Sequence, residues 1–208
     1  MAGRGRVIIF PTDTVYGIGC KIFDLEAIDK IYKIKNRPKE KPLACLCANL
    51  EQIESIAIVD ENTKKLINAF LPGGLTLILK SKKEVESQIG YPTIGVRIPN
   101  NKIALNILEE NGPMLTTSVN ESGNVPLNEY DEIFKIYSAK VDKIYPNDRE
   151  SLNLASTVVL IKDGSAKVLR EGPIKLEEIN KILELKWGKK DNFLSHFFFI
   201  CNALEQRV

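Results

Sequence analysis

The sequence predicts a mixed α/β fold, and three observations support this expectation. Short runs of β-branched and aromatic residues, such as Val7–Phe10 and Thr93–Ile98, are typical of buried strands. Between such runs, apolar residues recur with helical spacing, as Ile28 and Ile31 do after the candidate N-cap Asp24. Hydrophobic residues make up 44% of the 208 residues, which is sufficient to form a core.

The N-terminal half of the chain is expected to alternate between strands and helices. After the strand Val7–Phe10, the segment Pro11–Cys20 predicts a loop and a second strand, and a helix follows Asp24. The next expected elements are a strand at Leu43–Ala48, two helices within Asn49–Phe70, a break at Pro72-Gly73-Gly74 and a strand at Leu75–Lys80.

The C-terminal half continues this alternation. After the strand Thr93–Ile98, helical spacing predicts a helix around Ile103–Leu108, and Met114–Thr117 predicts a strand that leads into a polar loop. The last expected elements are a helix around Ile133–Tyr137, a hairpin of Thr157–Ile161 and Lys167–Arg170 across Asp163-Gly164, and a helix at Leu176–Leu185.

We expect one domain at residues 1–186, because neither an internal repeat nor a linker-like stretch divides the sequence. Residues 187–208 form an aromatic-rich tail of unknown role. This tail either docks on the domain or forms a self-association patch, and the sequence leaves both open. We expect a cytoplasmic protein without a membrane segment, since there is no secretory signal and no apolar run of the ~18–20 residues that span a bilayer.

Charge, histidine and cysteine content argue against several classes of site. The net charge of +2 neither requires nor excludes a nucleic-acid partner. The single histidine, His196, argues against a histidine-based triad or a multi-histidine zinc site. Cys45 and Cys47 form a lone C-x-C pair inside an apolar run, which favours buried thiols over a metal pair. We therefore expect no metal ligands from protein side chains.

A basic cluster follows the start of the first helix, and two of its members suggest an anion site. Lys35 shares a helical stripe with Ile31, so it is a cation on an apolar face. Pro38 forces Arg37 out of helical geometry, which turns the chain and brings both cations together. Such a pair suits an anion with several oxygens. A solvated basic face is the alternative for the whole cluster, which comprises Lys30, Lys33, Lys35, Arg37, Lys39 and Lys41.

A run of short polar side chains, Thr116–Gly123, follows a predicted strand. Thr116, Ser118 and Asn120 share one face of an extended chain and offer donors and acceptors to a ligand. The following Ser122-Gly123 can expose backbone N–H groups to phosphate. A turn without function is the alternative, because Ser, Asn and Gly are common in turns.

Two further polar segments complete the candidate site. Pro11–Gly17 follows the first strand, at a sheet edge where α/β proteins often bind ligands, and its threonine hydroxyls suit a small polar substrate. Ser156-Thr157 begins the predicted hairpin, and Arg170 ends it in a position to reach a phosphate or a carboxylate. A capped loop and a surface ion pair are the alternatives for these two segments.

Taken together, these segments resemble the YrdC-like family of threonylcarbamoyl-AMP synthases in its single-domain form. The resemblance extends from about Val7 to Ile182, and the order and spacing of the segments agree with the family. At Leu71 and Gly74 the chain departs from the tryptophan and proline that the family usually has. The matching segments are PTDTVYGIGC at Pro11–Cys20, KNRPKEKPL at Lys35–Leu43, LPGGLTLIL at Leu71–Leu79, TIGVRIP at Thr93–Pro99, TTSVNESG at Thr116–Gly123, STVV at Ser156–Val159 and LREGPI at Leu169–Ile174.

The resemblance implies a fold and a set of residue roles. The implied fold is a twisted, mixed, open α/β sheet flanked by helices, with a concave, positively charged cleft. The implied catalytic residues are Lys35, Arg37, Ser118 and Asn120. The same four residues would bind ATP together with Lys41, Thr93 and Arg170. The implied threonine-binding residues are Thr14, Arg97, Thr116 and Ser156.

The implied reaction converts L-threonine, bicarbonate and ATP into threonylcarbamoyl-adenylate and pyrophosphate, with Mg²⁺ offsetting phosphate charge. It is the first step of tRNA threonylcarbamoyladenosine modification. A tRNA threonylcarbamoyl transferase complex would receive the product, and the chain itself would bind tRNA at most weakly. The alternatives are a non-catalytic RNA-binding module, a carbamoyl-transfer domain related to hydrogenase maturation, and a folded but inactive relative.

Overall fold

The computed structural model describes residues 4–147, 151–162 and 165–183. The strands are β1 (Ile8–Phe10), β2 (Gly17–Lys21), β3 (Ala44–Leu46), β4 (Leu75–Lys80), β5 (Thr93–Arg97), β6 (Met114–Ser118), β7 (Lys143–Ile144), β8 (Thr157–Lys162) and β9 (Ser165–Arg170). The helices are α1 (Leu25–Ile34), α2 (Leu50–Ile56), α3 (Glu61–Phe70), α4 (Lys83–Ile89), α5 (Lys102–Asn111), α6 (Tyr130–Tyr137) and α7 (Leu176–Leu183).

Within these residues, nine strands form one twisted mixed sheet in the order β7-β1-β2-β6-β3-β5-β4-β8-β9. The pairs β1–β7, β3–β5 and β4–β8 are parallel, and the other neighbouring strands are antiparallel. Helices flank the sheet and contribute to its two hydrophobic clusters. The predicted α/β fold with a twisted mixed sheet is thus confirmed.

The two-residue period of the strands gives the sheet two chemically different faces. One face carries a fully buried row of residues that are paired in register across six strands: Cys20, Leu115, Cys45, Val96, Leu77 and Val159. The alternate positions face the other way and are mostly small or polar. We call this second side the polar face, and its members in the central strands include Gly17, Gly19, Ala44, Thr76, Gly95, Arg97, Thr116 and Ser118.

One end of the polar face is covered by α5. Ala104, Ile107 and Leu108 of this helix pack in a separate apolar cluster with Phe10 and Met114. The remainder of the polar face carries the residues that the sequence assigned to a functional site.

Local side-chain chemistry determines where several helices begin. The predicted cap Asp24 is confirmed, because its Oδ1 accepts a hydrogen bond from the backbone N–H of Ala27 at 3.0 Å. Asn49, Asp60 and Asn101 cap α2, α3 and α5 in the same way. Capping by these residue types satisfies backbone donors that the first helical turn leaves unpaired.

Two elements were not predicted from the sequence. The helix α4 buries only Val85, so it has little apolar periodicity to detect. The strand β7 has two residues and, within the described part of the chain, pairs only with β1. Cys45 and Cys47 are buried as predicted.

Some predictions fall outside the described residues. The turn at Asp163-Gly164 and the tail at residues 187–208 are among them, so the domain boundary after residue 186 stays a prediction. Where the chain is described, none of the helices combines the length and the hydrophobicity that crossing a bilayer requires.

Candidate functional site

Glycines of β2 keep the centre of the polar face open around Thr116. Thr116 pairs with Gly19 of β2 on one side and with Ala44 of β3 on the other. A Cβ atom at Gly19 would lie 2.7 Å from Thr116 Oγ1, and one at Gly17 would lie 2.6 Å from its Cγ2. Both glycines therefore leave room for the side chain of Thr116, which is buried.

Lys35 lies beneath the polar loop that follows β6. Its side chain is 1% exposed. The Nζ donates to the carbonyl oxygens of Ser118 and Asn120, at 2.5 and 2.7 Å, and to Asn120 Oδ1 at 2.8 Å. Ser118 Oγ also donates to Asn120 Oδ1 at 2.7 Å, and the Ser122 N–H donates to the carbonyl of Lys35. The structure thus brings three of the four expected catalytic residues into direct contact.

The guanidinium group of Arg37 binds backbone carbonyls of the segment that follows it. Nε donates to the carbonyl of Lys41 and Nη2 to that of Pro42, both at 3.0 Å. The Tyr32 hydroxyl donates to the same Lys41 carbonyl at 2.9 Å and lies 2.8 Å from the Tyr91 hydroxyl. The chain reaches this position through Asn36, whose φ of 47° is left-handed. A left-handed residue allows the chain to turn sharply after the helix.

The charges of Lys35 and Arg37 are not neutralised by protein carboxylates. Among the described residues, neither cation forms an ion pair, whereas Lys30, Lys33 and Lys39 of the same cluster all do. Burial lowers the pKa of Lys35 to about 7, and the charge of Arg37 adds to this effect. Burial also lowers the pKa of Arg37. The solvated-face interpretation therefore describes the three paired lysines, and Lys35 and Arg37 remain candidates for an anion site.

Arg97 forms a different kind of site at the opposite end of the polar face. It is 5% exposed and donates from Nη1 to Thr14 Oγ1 at 2.6 Å and from Nε to the Gly73 carbonyl at 2.8 Å. Its Nη2 donates to Asp13 Oδ1 in an ion pair. Burial lowers the pKa of Arg97 and the Asp13 charge acts against this change.

Arg170 contacts Ser156 close to Arg97. Its Nε and Nη2 donate to the Ser156 carbonyl at 3.0 and 2.8 Å, and Nη2 also lies 3.1 Å from Ser156 Oγ. The Thr76 hydroxyl is 2.8 Å from Ser156 Oγ. Partial desolvation lowers the pKa of Arg170, as does the charge of Arg97, although Arg170 remains exposed to solvent. The alternative for Arg170, a surface ion pair, is not found among the described residues.

Strand register relates the two ends of the polar face. Thr116 and Gly95 lie level with each other across β3. Ser118 is two residues beyond Thr116 in one direction, and Arg97 is two residues beyond Gly95 in the other. With ~4.8 Å between strands and ~3.3 Å per residue, Ser118 and Arg97 are about 16 Å apart along the sheet. That span suits a ligand larger than an amino acid alone.

Three groups that contact the predicted site residues could not be identified from the sequence. Asp13, Thr76 and the carbonyl of Gly73 contact predicted residues, but each partner is distant along the chain. The only sequence signal was the position of Asp13 between two threonines of a singled-out loop. Thr93 lies exposed at the start of β5, and Lys41 contributes its carbonyl to Arg37. The individual ligand-binding roles stay predictions.

Comparison with known proteins gives a family match and several close relatives. The Sua5/YciO/YrdC family model, described as telomere recombination, matches residues 1–172. A protein of Methanocaldococcus jannaschii, provisionally named a threonylcarbamoyl-AMP synthase, is 36% identical over 178 residues. That match covers 85% of this chain and 84% of the relative.

Two solved structures extend the comparison. The crystal structure of Pyrococcus abyssi Sua5 complexed with L-threonine matches with a TM-score of 0.79 and 32% identity, covering 86% of this chain and 54% of that one. This chain therefore spans about half the length of the Pyrococcus protein. The crystal structure of Escherichia coli YciO matches with a TM-score of 0.76 and 33% identity, covering 84% and 87% of the two chains.

Proposed function

Since the chain belongs to the Sua5/YciO/YrdC family, we propose that it is a threonylcarbamoyl-AMP synthase. It converts L-threonine, bicarbonate and ATP into threonylcarbamoyl-adenylate and pyrophosphate, the first step of tRNA threonylcarbamoyladenosine modification. One observation carries most of this proposal. Lys35 and Arg37 place two cations in a buried or half-buried position without a carboxylate partner in the described part of the chain. A bound polyanion would offset this charge.

The Lys35 end of the polar face is the proposed site of the ATP phosphates. Ser118 and Asn120 are held against Lys35 and present a hydroxyl and an amide at the end of β6. Arg37 offers a planar fork of donors, which suits phosphate oxygens. Lys41 and Thr93 complete the proposed nucleotide contacts from the neighbouring loop and from β5. Together these residues support a positively charged cleft.

The Arg97 end is the proposed threonine site. Thr14 and Ser156 place short hydroxyl groups beside Arg97 and Arg170, respectively. Three N–H groups of Arg97 are bound to protein oxygens, which leaves two of its five for a substrate carboxylate. Thr116 lies between the two ends and would contact the bound amino acid. Arg170 would contact ATP where the two substrates meet.

The proposed chemistry needs positioning and charge neutralisation more than a protein nucleophile. The threonine nitrogen adds to the carbon of CO₂ and loses a proton to solvent, or adds to the carbon of bicarbonate with loss of water, giving a carbamate. A carbamate oxygen then attacks the α-phosphorus of ATP, and the bond to the β-phosphate oxygen breaks as pyrophosphate leaves. Lys35 and Arg37 offset the charge that develops on these oxygens, and Ser118 and Asn120 orient the phosphates.

Mg²⁺ is part of the proposal as the companion of ATP. In the described residues, no three His, Cys, Asp or Glu side chains are grouped closely enough to hold a metal ion. The Lys35 site is rich in N–H donors and in hydroxyl, amide and carbonyl oxygens, so it fits Mg²⁺ carried by triphosphate oxygens rather than by a protein cage. A cytoplasmic location and transfer of the product to a tRNA threonylcarbamoyl transferase complex are also proposed.

The other functions considered from the sequence are not favoured. An RNA-binding stripe would need free cations, but Lys30, Lys33 and Lys39 are paired with Asp142 or Asp29. A carbamoyl-transfer domain would use carbamoyl phosphate in place of threonine and bicarbonate. Weak tRNA binding remains compatible with the synthase.

The test is pyrophosphate release by the purified chain with ATP and Mg²⁺, with L-threonine and bicarbonate added or omitted singly. We expect release only when both are present, together with formation of threonylcarbamoyl-adenylate. Release without threonine would contradict the proposal, and so would the absence of release despite ATP binding. Parallel reactions with carbamoyl phosphate, and RNA binding without ATP turnover, test the alternatives.

A further inference from the structure

The two ends of the polar face differ in net charge. At one end lie two basic side chains, Lys35 and Arg37, with which no described carboxylate pairs. At the other end the positive charge of Arg97 is offset by Asp13, and Arg170 is a separate cation nearby. This difference matters because a polyanion and a zwitterionic amino acid would otherwise be attracted to the same arginine.

Asp13 is held in place from two directions. Its Oδ1 accepts one hydrogen bond from Arg97 Nη2 and another from the backbone N–H of Asn100, at 2.9 Å for the second. The carbonyl of Asp13 also accepts from the N–H of Leu152 at 2.9 Å. The side chains of Asp13 and Arg97 are 14% and 6% exposed, so the pair lies largely out of solvent.

Solvent nevertheless reaches the vicinity of this pair. A cavity of about 370 Å³ opens beside Asp13, Gly73 and Asn100. Asp13 lines this cavity and Arg97 does not, so a small anion that enters it meets the charge of Asp13 before it can reach Arg97.

We infer that Asp13 is a specificity-determining residue, which neutralises the charge of Arg97 and so keeps phosphate groups away from this guanidinium group. Asp13 acts through Arg97 and fixes the orientation of its guanidinium group. The neutral pair can still bind a zwitterion through the remaining N–H groups of Arg97, whereas a dianion meets the charge of Asp13. The consequence is that the ATP phosphates bind at the Lys35 end, while Arg170 contacts the nucleotide where the two substrates meet. The assignment of threonine to this end rests on the proposed function, but the exclusion of anions does not.

Asp13→Asn is a sharp test because it removes the charge and keeps the shape and the acceptor oxygen. We would titrate sulfate into ¹⁵N-labelled wild type, Asp13→Asn and the control Asp131→Asn at constant ionic strength. The control removes an exposed carboxylate from the first turn of α6. The reporters are the backbone amides of Asn100 and Gly73, which flank Arg97, and of Ser122, which lies beside Lys35.

In Asp13→Asn we expect the Asn100 and Gly73 amides to shift with a sulfate affinity at least about tenfold tighter than in wild type or Asp131→Asn. The Ser122 response should be equal in all three proteins. Equal responses at Asn100 and Gly73 would overturn the inference. If Asp13→Asn loses its folded spectrum, Asp13→Ser gives the same readout with a smaller acceptor.

Addition of L-threonine separates this inference from the proposed function. We expect threonine to reverse the sulfate shifts at Asn100 and Gly73 in Asp13→Asn. Sulfate shifts that persist in excess threonine would uphold the charge role of Asp13 and count against threonine binding at Arg97. The opposite pattern, threonine binding with no gain in sulfate affinity, would overturn the role of Asp13 and leave the synthase proposal intact.

Discussion

The Nζ of Lys35 lies 2.7 Å from the backbone carbonyl oxygen of Asn120 and 2.8 Å from its side-chain Oδ1. With the Ser118 carbonyl, these atoms supply one acceptor for each of the three N–H groups of an ammonium. Lys35 therefore organises the loop after β6 before any ligand arrives. To bind a phosphate as well, it must share or exchange one of these contacts.

The protonation of Lys35 gives the first prediction. Because its pKa is about 7, the side chain is mostly deprotonated at pH 8. A bound triphosphate favours the ammonium and raises this pKa, so ATP binding at pH 8 should be accompanied by proton uptake. Below about pH 6 the lysine is already protonated, and the uptake should vanish. Calorimetry in two buffers of different ionisation enthalpy measures this quantity.

Lys35→Met is the control for that measurement. It cancels any protonation of ATP itself, since the nucleotide is common to both proteins. The same proton uptake in Lys35→Met as in wild type would exclude Lys35 as the titrating group.

Arg37→Ala should lower the rate of pyrophosphate release at least about 100-fold, as expected when a donor to a developing oxyanion is removed. Arg37→Lys keeps the charge but loses the planar fork of donors that binds the Lys41 and Pro42 carbonyls. We expect it to retain intermediate activity. Thermal unfolding of each variant shows whether the loop or the whole fold has been lost. Turnover near the wild-type rate in a folded Arg37→Ala protein would contradict its role.

Much of the fold was predictable because its signals are local. Asp24 caps the helix by accepting a hydrogen bond from Ala27, only three residues further along the chain. Within β6, the alternation of apolar and polar residues places Leu115 and Thr116 on opposite faces of the sheet. Such patterns need no knowledge of the rest of the molecule. The helix α4 was missed for the same reason, since only Val85 is buried and no apolar stripe marks it.

The candidate site was predictable only in part, because its contacts are distant in sequence. Lys35 on an apolar stripe correctly indicated a buried cation. Nothing local indicates that Arg97 pairs with Asp13, which lies 84 residues earlier. Nor does the sequence separate the ion-paired Lys39 from the unpaired Arg37, since that difference depends on where Asp29 lies in the fold.

The Arg97–Asp13 pair should show strong energetic coupling. Arg97→Met leaves a largely buried carboxylate without its partner and should lower the free energy of unfolding by about 3 kcal/mol. Adding Asp13→Asn removes that carboxylate, so the double variant should be more stable than the sum of the two single effects implies. We expect a coupling energy of about 1–3 kcal/mol from urea unfolding of the four proteins. Additive single effects would mean that the ion pair contributes little.

Arg97 variants also test threonine use separately from folding. In Arg97→Lys the charge remains, but the fork of donors to Thr14 and Asp13 is lost. We expect a threonine half-saturation at least about tenfold higher, with that of ATP changed much less. A rise confined to ATP would reassign Arg97 to the nucleotide.

Close backbone packing at Gly172 provides the last prediction. A Cβ atom there would lie 2.3 Å from the Thr157 nitrogen and 2.6 Å from the Ala155 carbonyl oxygen, so backbone would have to move. Because this segment also holds the contact between Arg170 and Ser156, Gly172→Ala should weaken the use of both ATP and threonine. It should also lower the free energy of unfolding by about 2–3 kcal/mol, as overpacking does.

Gly74→Ala is the matched comparison for Gly172→Ala, since its Cβ would first meet the ring of Pro173, with Cγ at 2.5 Å. That ring can shift, so we expect a smaller loss of about 1 kcal/mol that Pro173→Ala partly restores. Equal losses in urea unfolding would show that the Gly172 segment moves as freely as a side chain.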